Sequence, residues 1–222
     1  MTTQAAARVS FREVKEESYR ALRRAGYSWG MAQVAGRCAG VAQVLWGTGV
    51  AAVLRDATRW GVVARSPRSK TTGDTVVISA RGMSWAMVGP LAVAVALGNN
   101  RPVVWVRGAW AGKELATTVW DVASTRTEPV VWGTKSSNGW VGFQVTPAGD
   151  LFSSGVPHAR IGATPRGASW FVCAGEGVPG GLILSSSDRA AQVADAHREG
   201  VSIAETEWAA LERLARKFLV PE

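Results

Sequence analysis

The first sixty residues place apolar positions at a helical period. Ser10-Phe11-Arg12-Glu13 reads as a capping box, a serine N-cap with a glutamate three residues on. Phe11, Val14, Ala21, Leu22 and Ala25 then share one helical face, and Gly26 is placed to end the helix as its C′ residue. The seven residues ahead of it are small or polar and are expected to fray. Ser28 is expected to cap a second helix from Trp29 to about Trp46, with Val34, Cys38, Val41, Val44 and Leu45 as its apolar stripe. Gly30, Gly36 and Gly40 each cost that helix roughly 1 kcal/mol relative to Ala, so close packing should offset them. A third helix is expected over 50–60. This third of the chain reads as a small helical bundle.

Residues 65–74, RSPRSKTTGD, are polar with Pro, Gly and Ser, and read as a linker or domain boundary. After them the grammar changes. Thr75–Ala80, Pro102–Val106, Thr117–Val122, Pro129–Trp132, Trp140–Thr146, Ala168–Ala174 and Gly181–Leu184 are short β-branched and aromatic runs bounded by turn residues, hence strands. One helix over about 85–97 interrupts them, and Gly89-Pro90 is expected to break or restart it. Helices over 187–199, capped by Ser186 or Ser187, and over 205–218 close the chain. The fold class is therefore α+β: an N-terminal helical bundle, a mixed or antiparallel sheet, and C-terminal helices. Residues 8–64 form the helical segment and 73–222 the α+β body, expected to join as one compact unit.

A chain of 222 residues, 47% apolar and 19% charged, is globular rather than disordered. At this length roughly 70% of the unfolded surface should be buried, so the two cysteines are not needed as a scaffold. The longest apolar run, Leu91 to Leu97, is far short of the ~20 residues a membrane span needs, and no leader precedes the first helix. A soluble, cytoplasmic protein is expected. The formal charge of +8 comes from 20 Arg and 5 Lys against 17 acids. These cations are scattered. Arg20, Arg23 and Arg24 are the densest group and sit beside Glu13, Glu16 and Glu17; Arg65, Arg68 and Lys70 follow in the linker. Solvated surface is the first explanation, a small anionic metabolite held by a few arginines the second, and nucleic acid a distant third.

The inventory of chemistry is thin. His158 and His197 have no Cys or carboxylate at ligand spacing, so no metal site is expected. Gly26-Tyr27-Ser28-Trp29-Gly30 matches the nucleophile-elbow letters, but a helix precedes it where a strand is required. Cys38 and Cys173 lie in apolar runs and read as core thiols, with Cys173 kept as a catalytic candidate because Glu176 and a Gly-rich loop follow it. That loop, Gly175 to Gly181, has no dinucleotide fingerprint. Two features stand out. Eleven tryptophans, with Trp85, Trp105, Trp110, Trp120, Trp132 and Trp140 close in sequence, could wall a pocket on one sheet face. The helix start at Ser28, Trp29 and Gly30 suits a carboxylate or phosphate, with Arg81 or Arg107 completing the site. As acid–base groups, Asp74, Asp121, Asp150 and Glu128 are carboxylates near expected strand ends, and Asp121 is the one retained.

Both ends of the chain resemble a family of bacterial proteins catalogued as a domain of unknown function, number 3726. The likeness rests on Ser10-Phe11-Arg12-Glu13-Val14, on Arg24-Ala25-Gly26-Tyr27-Ser28-Trp29-Gly30-Met31-Ala32, and on Trp208-Ala209-Ala210-Leu211, Leu214-Ala215 and Val220-Pro221-Glu222. It spans about a quarter of the chain. The family pattern carries acidic residues after Trp-Gly, where this chain has Gln33 and Arg37, and continues past Val-Pro-Glu into a Ser-Arg and Gly-rich tail, where this sequence ends at Glu222. Any function of that tail is expected to be lost. The resemblance implies a bacterial metabolic protein and no particular reaction.

Together these readings point to a cofactor-independent enzyme that acts by acid–base chemistry on a small carboxylate-bearing metabolite, with or without nitrogen. Ser28, Trp29, Gly30, Arg81 and Arg107 bind in this reading, Asp121 and Cys173 are the catalytic candidates, and a Trp-rich face excludes water. The alternative is a non-catalytic subunit or accessory protein of a metabolic enzyme, and the third reading a nucleic-acid-binding protein; the partners open to it are a second copy of the chain or an enzyme subunit.

Overall fold

The computed structural model describes residues 5–58, 67–73, 75–98, 103–155, 164–175 and 177–219. In chain order the elements are β1 (Ala6–Val9), α1 (Phe11–Arg24), α2 (Trp29–Trp46), α3 (Gly49–Ala57), β2 (Arg68–Thr72), β3 (Thr75–Ser79), α4 (Trp85–Gly98) and β4 (Val103–Arg107). A 3-10 turn (Lys113–Leu115) leads into α5 (Ala116–Ala123), followed by β5 (Val130–Ser136), β6 (Gly139–Val145) and β7 (Leu151–Gly155). Then come β8 (Ala168–Ala174), β9 (Val178–Leu184), α6 (Ser186–Glu199), β10 (Val201–Ala204) and α7 (Glu205–Leu219). The class is α+β with a mixed sheet. Two compact units result, one made of residues up to 66 together with 189 onward, the other of 67–188.

In the first unit the capping box forms as read: Ser10 N–H donates to Glu13 Oε2 at 2.9 Å and Glu13 N–H to Ser10 Oγ at 3.1 Å. The exit is a Schellman turn. Gly26, at φ +89°, donates to Arg23 O, and Tyr27 N–H reaches back to Leu22 O. The α2 stripe read from the sequence is corrected. Val34, Val41, Val44 and Leu45 are only half-buried, while Ala32, Ala35, Gly36, Ala39, Gly40 and Ala42 form the buried face with Cys38. Backbone approach explains this. A Cβ at residue 36 would lie 3.0 Å from Lys15 O, and one at residue 40 would lie 2.9 Å from Lys15 Cγ. Across the next contact, a Cβ at Gly49 would lie 1.8 Å from Ala39 O. Small residues therefore let α1 and α3 sit against α2 at distances no Val or Leu permits. Gln43 is buried among them, its Oε1 accepting from Val50 N–H at 3.0 Å.

The C-terminal residues return to this unit, so 189–222 do not belong to the α+β body as the sequence suggested. α7 packs on α1 and α3, with Leu211 and Ala215 buried, and β10 pairs antiparallel with β1. That pairing includes Ala6 and Ala7, which were expected to fray; residues 1–4 lie outside the described residues. Periodicity marks the apolar face of a helix, but nothing in it names the helix that covers it.

The second unit is an eight-stranded sheet in the order β2-β3-β4-β8-β5-β6-β7-β9. Among the described residues only β3 and β4 pair in parallel, joined through α4. Three expectations fail here. The linker is in part a strand: β2 pairs antiparallel with β3 across a turn at Gly73, φ +55°, while Arg65, Ser66 and Asp74 lie outside the described residues. Thr117–Val122 is not a strand but the body of α5, whose buried Ala116, Thr117, Val119 and Ala123 override the β propensity of the run. Finally, α4 runs through Gly89-Pro90 unbroken. Proline clashes with the Cβ of the residue before it in a helix, and Gly89 has none. The same missing atom admits Leu115 Cδ1, which lies 2.6 Å from where that Cβ would stand. The cap of α6 also shifts by one: Ser185 Oγ accepts from Asp188 N–H, and Asp150 Oδ1 accepts from Ser186 N–H at 2.7 Å.

Two measurements check the first unit. Gly49→Ala should lower the free energy of urea unfolding by about 1–3 kcal/mol or more through overpacking, whereas Gly30→Ala, with open space around it, should raise it by roughly 0.5–1 kcal/mol. The second concerns pH. The Ser10 hydroxyl first, and its N–H second, hold the Glu13 carboxyl below the ordinary glutamate value. A depressed carboxyl stabilises fully above its unfolded value, and the gain is lost as pH falls through the lowered one. The difference in urea midpoint between wild type and Glu13→Ala should therefore be full at neutral pH and close at acid pH.

Candidate functional site

Register alone assembles the site in the second unit. Across β2, β3 and β4, Arg68 stands opposite Ser79 and Ser79 opposite Arg107. The next row on that face is Lys70, Val77 and Trp105, and the third is Thr72, Thr75 and Val103. Side chains two apart on a strand share a face, so the cations and hydroxyls fall on one side, while Val76, Ile78, Val104 and Val106 are buried on the other. A cleft of about 610 Å³ opens over these rows, lined by Arg68, Ser69, Lys70, Thr72, Thr75, Val77, Ser79, Arg107 and Pro165. Three cations and four hydroxyls line it, with no carboxylate among the described residues. Arg107 Nε is buried and has no hydrogen-bond partner among the described residues.

Arg107 is aimed by local irregularity. The β4–β8 register shifts between Val106 and Arg107, a bulge that re-aims the last residue of the strand. Ser169 Oγ fills the gap, 3.1 Å from Val106 O and within reach of Ala109 O. Ala80 N–H donates to Arg107 O at 2.8 Å, and Gly82 N–H to Gly108 O at 3.2 Å. These bonds tie the carboxyl ends of the two parallel strands together, the place where open α/β sheets take ligands. Arg81 sits in that turn at φ +54°, a conformation rare outside glycine, and does not line the cleft.

Below the cleft lies an aromatic cluster. Trp105 meets Phe171 at 5.3 Å and Trp140 at 5.8 Å, with Val77 and Val103 packed alongside. Phe171 lies over Gly133, where a Cβ would stand 2.5 Å from its ring. The single tryptophan wall expected from the sequence does not form. Trp132 stacks on Phe143 on the opposite face, with Nε1–H donating to Gly112 O, and Trp120 donates to Gly149 O.

The other candidates distribute as follows. Ser28, Trp29 and Gly30 belong to the first unit, apart in the chain's organisation from Arg81 and Arg107. Ser28 is the cap of α2 as read, accepting from Met31 N–H, and Trp29 is 62% exposed beside a groove that includes Tyr19, Gln33 and Arg37. Asp121 is exposed on α5, not at a strand end, because its run is helical. Cys173 is the next-to-last residue of β8, 1% exposed among Trp105, Val131, Ala168 and Phe171, and so has no access for a substrate. Asp150 accepts from Ser186 N–H at the start of α6, and Glu128 is exposed between α5 and β5. Asp74, His158 and Glu176 lie outside the described residues. His197 packs edge-on against Phe11 at 4.6 Å. Among the described residues no cluster of three His, Cys, Asp or Glu could hold a metal, and no helix is long and apolar enough to cross a membrane.

No protein-family model matches the sequence, and no curated protein matches it either. The chain is similar in fold to solved dehydrogenases. Malate dehydrogenase from Entamoeba histolytica aligns at TM-score 0.67 and 12% identity over 98% of this chain and 99% of that one. A dehydrogenase from Sinorhizobium meliloti gives 0.68 and 13% over 95% and 100%. Delta1-piperideine-2-carboxylate reductase from Pseudomonas syringae pvar. tomato gives 0.58 and 13% over 94% and 99%. At such identities what is shared is the fold, and function has to be argued from the site.

Sequence reasoning missed Arg68 and Lys70. Their spacing of two is the strand period, but Ser and Pro around them read as linker. Burial makes one result plain: a thiol reagent should titrate neither Cys38 nor Cys173 in the native protein and both in urea.

Proposed function

We propose that the protein is an enzyme of small-molecule metabolism whose substrate is a small carboxylate held in the β2–β3–β4 cleft, with Arg107 as its principal ligand-binding residue. The observation that carries this is the buried, unpartnered Nε of Arg107 in a cleft of cations and hydroxyls. A guanidinium offers a planar fork of donors to a carboxylate, and an anion there would satisfy the orphaned nitrogen. Arg68 and Lys70 add attraction, while the hydroxyls of Ser79 and Thr75 can orient a polar ligand. The fold likeness supports the substrate class, since malate and delta1-piperideine-2-carboxylate in the names of two similar proteins are small carboxylates.

Dehydrogenation and reduction move a hydride, so this likeness also implies a hydride carrier such as a nicotinamide nucleotide. The remaining cations of the cleft fit the phosphates of such a group: Arg68 and Lys70 would hold them, and the carrier when bound would supply or accept the hydride. The second reading, a non-catalytic binding subunit, is favoured by one observation. Among the described residues lining the cleft there is no carboxylate, imidazole or thiol to act as a strong general base.

Titration calorimetry with lactate, malate, cyclic imino acids and reduced dinucleotides tests these readings. A small carboxylate should bind, and Arg107→Ala should weaken it by about 1.5–3 kcal/mol with thermal stability kept, as expected for a charged hydrogen bond. Affinity unchanged in Arg107→Ala sinks the assignment. Dinucleotide binding that is weakened in Arg68→Ala or Lys70→Ala, together with turnover of the carboxylate, selects the hydride-transfer reaction; carboxylate binding with no dinucleotide response and no turnover selects the subunit.

A further inference from the structure

The Arg107 side chain leaves the sheet at the end of β4, where the ladder to β8 is irregular. Trp170 stands opposite Val106 and Ala168 opposite Arg107, so Ser169 is the extra residue of the bulge, with no partner on β4. Its side chain takes the place of the missing pair. Ser169 Oγ lies 3.1 Å from Val106 O and also donates to Ala109 O, and these two carbonyls bracket Arg107 and Gly108. On its other side, Ser169 O accepts from Thr134 Oγ1 of β5 at 3.5 Å. One residue therefore ties the exit of β4 to the middle of the sheet.

The chain turns directly after Arg107. Gly108 is at φ +71°, in the left-handed region, and has no side chain to pack. From β3, Ala80 N–H donates to Arg107 O at 2.8 Å and holds one edge of the residue. From β8, the Ser169 hydroxyl holds the other. Arg107 Nε meets no hydrogen-bond partner among the described residues, so that end of the side chain is not its anchor. Its aim follows from the backbone on either side of its Cα, and a binding group held this way is only as precise as the bonds behind it. Ala109 is half-buried, so water can meet its carbonyl when the hydroxyl is removed, and the sheet need not unfold.

We propose that Ser169 is a positioning residue for ligand binding: its hydroxyl, acting through the Val106 and Ala109 carbonyls, sets the direction in which Arg107 enters the cleft. This rests on Arg107 as the carboxylate-binding residue. Ser169 does not line the cleft, so any effect of its hydroxyl on ligand affinity has to pass through Arg107.

The test reads Arg107 directly. In proton–nitrogen correlation spectra of the ligand-free full chain, the Arg107 Nε–H signal, assigned through Arg107→Lys, should shift or broaden in Ser169→Ala while the other arginine Nε–H signals stay in place. Affinity for sodium malate, by calorimetry, should fall about tenfold in the same variant, the scale of one lost hydrogen bond. Ser169→Thr keeps the hydroxyl and should restore both readings. An Arg107 signal unmoved in Ser169→Ala overturns the proposal. So does malate affinity kept in that variant but lost in Arg107→Ala, or an equal loss in Ser169→Ala and Ser169→Thr, which assigns the effect to packing. Malate affinity unchanged in Arg107→Ala overturns the carboxylate reading instead, and the ligand-free Nε–H signal still decides whether Ser169 aims Arg107. Should Ser169→Ala fail to fold, Ser169→Cys, of similar size with a weak donor, takes its place under the same criteria.

Discussion

Parallel pairing of β3 with β4 is the constraint on which the second unit depends. Every other ladder in the eight-stranded sheet is antiparallel, and a hairpin or loop can close each of those. A parallel ladder needs a crossover, and α4 supplies it, running through Pro90 because Gly89 removes the clash. The pairing sets two carboxyl ends side by side, so that Ser79 meets Arg107. The hairpin from β2 then lays Arg68 into the same row. Cations that look scattered in the sequence become a single row through hydrogen-bond register, and β8, inserted from far along the chain, supplies the bulge that aims Arg107.

The first unit obeys a different constraint, that of backbone distance. Glycines that weaken α2 as an isolated helix are the reason it can be the central helix: α1 approaches at Gly36 and Gly40, and the start of α3 at Gly49 meets Ala39 O. Propensity and packing oppose each other there, and packing wins because each close contact adds many dispersion pairs. The half-buried Val34, Val41, Val44 and Leu45 flank that seam instead of forming it.

What could be seen of the site follows the same division. Arg107 was legible as an arginine ending an expected strand, and Ser28 as a cap, since caps and strand ends are local. Arg68 and Lys70 were hidden by their polar neighbours, because an edge strand whose residues are all exposed has no apolar alternation to reveal it. Asp121 was misplaced because Thr, Val and Trp suit a strand until the buried face of α5 is counted. Cys173 stayed ambiguous in sequence, where an apolar run cannot tell a packed thiol from a reactive one.

The sequence by itself determined the α+β class, the capping box at Ser10, the glycine exit of α1, most helices, and the strands with apolar alternation. Each of these is written within a few residues by sterics, hydrogen-bond chemistry or periodicity. Tertiary structure alone decided that the last helices return to the first, that Thr117–Val122 coils, and that β8 lies between β4 and β5. It also decided that Arg68, Ser79 and Arg107 share one row. These outcomes depend on which distant surface each segment finds, and that choice is made by burial and register summed over the whole chain.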